Sequence, residues 1–264
     1  MTAVAASSIA GAVAELASAA NDRREIEPLT DTWAALDERT AYEIQEALVA
    51  RHIADEQTRL IGRKLGLTSV AKQKQMSVDR PIYGSLLASR AINDGEAVPI
   101  ASLIHPKAEP EISIVTNREL KGPGVTPDQA RAAIASASCA IEIIDSRFRN
   151  FRFTFTDVIA DNTSAARYAI STLRVPVAGL DLRTLGAVFE KNGEVVSTAA
   201  GAAILGDPAI GLAWLANAMA EHGLALPAGS VVMTGALTDA IAVAPGDVVR
   251  VSVAQLGSLS IRFS

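Results

Sequence analysis

Lys191-Asn192-Gly193 lies between two β-rich runs, Ala187-Val188-Phe189-Glu190 and Glu194-Val195-Val196, and no other segment constrains the fold so strongly. Asn-Gly accepts the positive φ angles of a tight hairpin, so the flanking runs should pair antiparallel. Further strand-like runs occur at 111–116 (EISIVT), 141–144, 231–234, 248–253 and 259–263, with the turn Pro245-Gly246-Asp247 ahead of the fourth. Phe151, Phe153 and Phe155 alternate with Arg152, Thr154 and Thr156, which reads as one more strand with an apolar face. Helices are not interleaved regularly among these runs. That excludes a doubly wound sheet or a β/α barrel and predicts an α+β domain whose core is a rolled or barrel-like sheet.

Two helices are expected within this strand-rich region. Thr126-Pro127-Asp128-Gln129 supplies an N-cap, a proline at the first helical position and a Gln three residues on, predicting a helix to about residue 137. Asp207-Pro208 opens another, carrying Leu212, Leu215 and Met219 and closed by Gly223. The first quarter of the chain reads as helical: Ile9, Val13 and Leu16 recur at helical spacing. Thr40-Ala41-Tyr42-Glu43 reads as a capping box, heading a helix to about residue 57 with Ala41, Ile44, Leu48 and Ile53 on one face. Between 61 and 83 the chain is Gly- and Lys-rich with little periodicity and reads as a long functional loop. The expected organisation is a helical portion, 1–60, followed by a catalytic domain, 61–264.

Charge and cysteine use narrow the function. With 24 Lys+Arg against 29 Asp+Glu, the net charge is -5, a poor match to nucleic acid. One cysteine, Cys139, excludes an internal disulfide and multi-cysteine zinc sites, reads as a small core residue, and suits a cytoplasmic setting. No Lys or Arg precedes the first apolar stretch and Glu15 interrupts it, so a secretory leader is not expected; neither is a membrane span. The common nucleotide-binding and hydrolase-elbow motifs are absent.

The acids at 109–145 carry most of the chemical information. Glu109 and Glu111 are two apart, so in a strand both carboxylates share a face. Glu142 interrupts the apolar run Ala140-Ile141-Glu142-Ile143-Ile144, where an unpaired charge is costly. Three carboxylates make an all-oxygen site suited to Mg²⁺ or Mn²⁺. A second reading stays open: Glu109 and Glu111 on a solvated face, with Glu142 paired to Arg147 or a lysine. Lys64, bracketed by Gly62 and Gly66, reads either as a cation for an anionic substrate or as a solvated loop residue. Asp161-Asn162-Thr163-Ser164 and Thr234-Gly235 offer short polar groups for binding, or a helix cap and a strand end.

Taken in order, several segments resemble the hydratase/decarboxylase branch of the fumarylacetoacetate hydrolase superfamily from about residue 61 to the C-terminus. They are Gly62-Arg63-Lys64-Leu65-Gly66-Leu67-Thr68-Ser69, Pro81-Ile82-Tyr83-Gly84 and His105-Pro106-Lys107-Ala108-Glu109-Pro110-Glu111-Ile112-Ser113. Glu142-Ile143-Ile144-Asp145-Ser146-Arg147, Ala160-Asp161-Asn162, Lys191-Asn192-Gly193-Glu194, Met233-Thr234-Gly235 and Pro245-Gly246-Asp247 complete the set.

The resemblance implies a mixed β-sandwich or β-roll, and Mg²⁺ (or Mn²⁺) held by Glu109, Glu111 and Glu142. It places Lys64 in the active site, with Leu67, Thr68, Ser69, Asn162, Ser164 and Thr234 bordering a 2-oxo acid. The implied activity is metal-dependent decarboxylation of 2-oxohex-3-enedioate to 2-hydroxypenta-2,4-dienoate and CO2, in meta-cleavage catabolism of aromatic compounds. Lys72 and Met76 fit that pattern better than the hydratase one. The alternatives are a 2-keto-4-pentenoate hydratase or a non-catalytic partner of that hydratase. A complex with the pathway hydratase and a homo-oligomer are also implied. Arg63, Lys72, Lys74, Arg80 and Arg147 are candidate cations for the second carboxylate.

Overall fold

The computed structural model describes residues 7–264. Ser8 caps helix α1 (Ile9–Asp22), which buries Val13 and Leu16 as expected and leaves Ile9 half-buried. Helix α2 (Glu38–Glu56) begins earlier than a capping box at Thr40 requires. Asp37 takes that role instead, its carboxylate accepting from the Thr40 N–H at 2.8 Å. Ala41, Ile44 and Leu48 are buried on its inner face.

The segment expected to be an irregular loop, 61–83, is mostly regular. It holds strand β1 (Leu60–Gly66), the short helix α3 (Val70–Gln75) and the start of β2 (Ile82–Leu87). Its glycines serve packing. A Cβ at Gly62 would sit 1.8 Å from the Val231 carbonyl oxygen of the neighbouring strand, so only glycine lets the two backbones approach.

The short strands β3 (Ala91–Ile92) and β4 (Ala97–Val98) lead to β5 (Lys107–Thr116). Thr126 and Gln129 form the predicted capping box of α4 (Pro127–Ala132). This helix stops short of residue 137 because the chain is drawn into β6 (Ile134–Ile144), which pairs with β5 along its length. The Phe alternation is not a strand either. Asn150 and Phe151 both adopt φ 55°, and Thr154 then forms a capping box with Asp157 at the start of α5 (Phe155–Ala160). Next come β7 (Ala165–Ile170), β8 (Val175–Pro176) and the Asn-Gly hairpin of β9 (Gly186–Lys191) with β10 (Glu194–Ala200). Helix α6 (Pro208–Glu221) follows, then β11 (Val231–Ala236), β12 (Ile241–Ala242), β13 (Val248–Val253) and β14 (Gly257–Phe263).

Among the described residues these strands form two sheets. One runs β2-β1-β11-β5-β6-β7-β3, with β12 added to β5 and β8 to β6; the other runs β10-β9-β13-β14-β4. The larger sheet curls on itself, since the Tyr168 hydroxyl of β7 donates to the Leu87 carbonyl of β2 at 3.0 Å. This is the rolled α+β architecture expected. Leu16, Ile44 and Leu48 of the N-terminal helices join Ile112, Ile141 and Phe189 of the sheets in one buried cluster. The stretch Gly201–Glu221 is long and apolar enough to cross a membrane, but Leu212, Leu215, Ala216 and Met219 are buried against the rest of the fold.

Candidate metal centre and substrate cavity

The two-residue repeat of β5 sets Lys107, Glu109 and Glu111 on one face. The register with β6 puts Glu142 directly opposite Glu109. One oxygen from each of Glu109, Glu111 and Glu142 lies within 4.8 Å of the others, and all three side chains are buried. Glu111 Oε2 accepts from the Gly235 N–H at 2.9 Å. That approach needs the φ of 103° at Gly235, and a Cβ there would lie 2.3 Å from Thr68 Oγ1. Glu111 Oε1 and Glu142 Oε1 have no hydrogen-bond partner among the described residues, and Glu142 Oε2 meets only the Lys64 ammonium, at 3.1 Å. Buried carboxylate oxygens without donors are costly unless a cation meets them, so the donor set fits a hard divalent ion such as Mg²⁺.

Electrostatics agree. Burial, reinforced by the neighbouring Glu142 charge, pushes the Glu111 carboxyl well above the usual carboxylate range. Burial also raises Glu142, against the attraction of Lys64. Lys64 projects from β1 across the curled sheet, with Nζ 3.1 Å from Glu142 Oε2 and donating to the Thr163 carbonyl at 2.9 Å. It is a buried strand residue, so the solvated-loop reading fails, and Glu142 faces Lys64 rather than Arg147.

Arg147 is engaged elsewhere. It binds the Asp161 carboxylate and donates to the carbonyls of Asp145 and Asp161, both at 2.6 Å. This buried pair anchors a turn in which Asn162, Thr163 and Ser164 all have positive φ, 48°, 55° and 56°. The turn is not a helix cap. Three consecutive non-glycine residues in the left-handed region are rare, and here they aim the Thr163 carbonyl at Lys64.

A cavity of about 460 Å³ opens over this cluster, with Lys64, Leu67, Thr68, Lys72, Glu109 and Ser164 on its wall. Ser164 Oγ is buried with no partner among the described residues. Ser69, Asn162 and Thr234, expected beside the substrate, are not on the wall because nearby backbone claims their side chains. Ser69 caps α3, accepting from the Lys72 N–H at 3.2 Å. Asn162 bonds both backbone groups of Ser85, at 2.7 and 3.1 Å, and Thr234 Oγ1 donates to the Ile112 carbonyl at 2.8 Å.

Of the cations expected near a second carboxylate, only Lys72 reaches the cavity, 3.0 Å from Glu109. Burial opposes its charge, but Glu109, together with Asp239 and Glu111, outweighs that and raises its pKa. Arg63 pairs with Glu46, Arg80 with Glu38, and Lys74 is exposed. Lys107, Phe151, Phe153 and Asp239 also line the cavity and were missed from the sequence. Extending the alternation of Glu109 and Glu111 back by two residues would have found Lys107; the phenylalanines depend on the turn at 150–154, which carries no local signal for it.

A curled sheet carrying a buried acid triad and a lysine beneath an open cavity defines a class of enzyme folds. Residues 52–264 match the fumarylacetoacetate (FAA) hydrolase C-terminal family, and the chain belongs to that family. It is 46% identical over 242 residues to the 4-oxalocrotonate decarboxylase of Pseudomonas sp. (strain CF600), covering 92% of this chain and 91% of the relative. It is 41% identical over 257 residues to the 2-keto-4-pentenoate hydratase of Burkholderia vietnamiensis (strain G4 / LMG 22486), covering 97% and 98%. The structure of 4-oxalocrotonate decarboxylase from Pseudomonas putida G7, complexed with magnesium and adipate, matches with a TM-score of 0.94, 41% identity and 97% of each chain. The resemblance read from the sequence motifs is borne out.

Proposed function

We infer that this chain is a Mg²⁺-dependent carboxy-lyase that converts 2-oxohex-3-enedioate to 2-hydroxypenta-2,4-dienoate and CO2, in the meta-cleavage catabolism of aromatic compounds. The observation that carries this reading is the buried triad of Glu109, Glu111 and Glu142 beside Lys64, in a chain 46% identical to a 4-oxalocrotonate decarboxylase.

Glu109, Glu111 and Glu142 would hold the ion. When bound, Mg²⁺ acts as a Lewis acid that withdraws electron density from the 2-oxo acid. Substrate carbon 5 carries the departing carboxylate. Its bond to that carboxylate breaks, the pair forms the C4–C5 double bond, the alkene pair moves to C2–C3, and negative charge arrives at the C2 oxygen. Proton uptake there gives the dienol. Lys64 would meet that developing charge: its ammonium is preorganised by Glu142 and the Thr163 carbonyl, which supports a role in stabilising the enolate or delivering its proton. Ser164 Oγ and Thr68 border the 2-oxo acid from the wall, with Leu67 excluding water.

The test is CO2 release from freshly generated 2-oxohex-3-enedioate with Mg²⁺, set against an EDTA control and a parallel sample of 2-hydroxypenta-2,4-dienoate. Mg²⁺-dependent CO2 with no hydration of the second compound supports the reading. Hydration without CO2 replaces it with the hydratase activity that the 41% identical relative carries by name. A cytoplasmic setting, a homo-oligomer and association with the pathway hydratase complete the proposal; size-exclusion chromatography of the chain alone and with the hydratase tests the last two.

A further inference from the structure

We propose that Lys107, seated on the Phe151 ring, is the cation that receives the far carboxylate of the substrate and makes the cavity select dicarboxylic over monocarboxylic 2-oxo acids. The identity of the substrate rests on the decarboxylase reading; the charge selection itself does not.

Lys107 leaves the same face of β5 as Glu109 and Glu111 and lines the same cavity. One pleat repeat separates it from Glu109, about 7 Å along the strand. Five carbon–carbon bonds of about 1.5 Å each, in zigzag, span roughly 6 Å, so a six-carbon diacid anchored at the acid triad is long enough to bring its far carboxylate within reach of Lys107. Lys107 Nζ lies 4.0 Å from the Phe151 ring centroid, and among the described residues it forms no ion pair. Of the other lysines on the wall, Lys72 is already committed to Glu109 and Lys64 to Glu142. An aromatic face holds an ammonium without neutralising it, so the charge of Lys107 stays available to a ligand.

The seat itself is built. Phe151 follows Asn150 through two residues at φ 55°, a conformation that a bulky side chain rarely adopts. Its ring also packs on His105, with centroids 4.5 Å apart, and His105 is pinned by Glu25 at 2.8 Å. The strained turn thus turns an aromatic ring towards the cavity beneath a lysine, an arrangement with no other use in the mechanism above.

The experiment compares 2-oxoadipate with 2-oxohexanoate by calorimetry on the Mg²⁺-loaded protein. Both present the same 2-oxo acid, both lack the alkene, and they differ only at the far end. The wild-type protein should bind 2-oxoadipate at least about tenfold more tightly, the size of effect expected for a charge-assisted hydrogen bond. Lys107→Met should abolish that preference while leaving 2-oxohexanoate affinity unchanged, which also reports that the variant is folded; Lys107→Arg should retain it. With 2-oxohex-3-enedioate, Lys107→Met should raise KM with a smaller effect on kcat. An absent preference in the wild type, or a wild-type preference in Lys107→Met, overturns the assignment. Loss of preference in Lys107→Met from a wild type that releases no CO2 supports the assignment and removes the decarboxylase reading. CO2 release with the preference intact in Lys107→Met does the reverse.

Discussion

Replacing Glu111 by Gln should make the metal-free protein more stable while destroying its response to Mg²⁺. Glu111 is fully buried, and a Glu142 oxygen lies within 4.8 Å of it. At an effective dielectric constant of about 20, two charges at that separation repel by about 3 kcal/mol. Lys64 offsets part of this, leaving a net gain of about 1–3 kcal/mol for a neutral side chain. Gln keeps an acceptor oxygen for the Gly235 N–H, so the local hydrogen bond survives. Burial first, and the Glu142 charge second, raise the Glu111 pKa above its ordinary value of 4.5. The folded state then holds a proton that the unfolded chain has released. Stability contributed at this position therefore falls as pH rises from the ordinary value through the raised one, and the full cost persists above it. Thermal melts in EDTA at about pH 5 and about pH 8, repeated with saturating Mg²⁺, measure both effects. For a chain of this size the gain corresponds to roughly 3–10 °C at the higher pH. A Glu111→Gln melt in EDTA at or below the wild type at the higher pH, or a Mg²⁺ response equal to the wild type, would refute the reasoning.

Glu111 and Glu142 must release their protons to bind a cation, so Mg²⁺ affinity should increase with pH through their raised range; calorimetry finding a constant affinity from about pH 5 to about pH 8 would count against it. Lys64→Ala should lower kcat by at least about a hundredfold at saturating Mg²⁺, and near-normal turnover would remove its catalytic role. Asp161→Asn strands the buried Arg147 charge and should cost about 3–5 kcal/mol in urea denaturation, with a loss below about 1 kcal/mol as the contrary result. Gly235→Ala combines strained φ with a Cβ 2.3 Å from Thr68 Oγ1. It should cost more than about 1 kcal/mol and weaken Mg²⁺ binding; unchanged melting and affinity would show that the Gly235–Glu111 contact is dispensable.

Local patterns were legible wherever neighbours in sequence decide the outcome. Asn192-Gly193 turned the hairpin, Thr126 and Gln129 capped their helix, and Asp207-Pro208 opened α6. The same patterns misled where tertiary pairing overrode them. Residues after Ala132 had helical composition but were taken by the long β5–β6 ladder. The glycines at 62 and 66 looked like loop residues because their packing partners, Val231 and Thr163, are far away in the chain. The Phe alternation imitated a strand because its period was read without the left-handed turn at Asn150 and Phe151.

The sequence by itself determined the rolled α+β class and the same-face pair of Glu109 and Glu111. It also marked Glu142 as a costly acid in an apolar run, since side-chain alternation and burial cost are local properties. Only the tertiary structure decided that Lys64 meets Glu142 across the curled sheet, that Asn162 and Thr234 turn to backbone, and that Lys107 rests on Phe151. Those contacts depend on register and curl between strands distant in sequence, and one residue of slip would send each side chain to the opposite face.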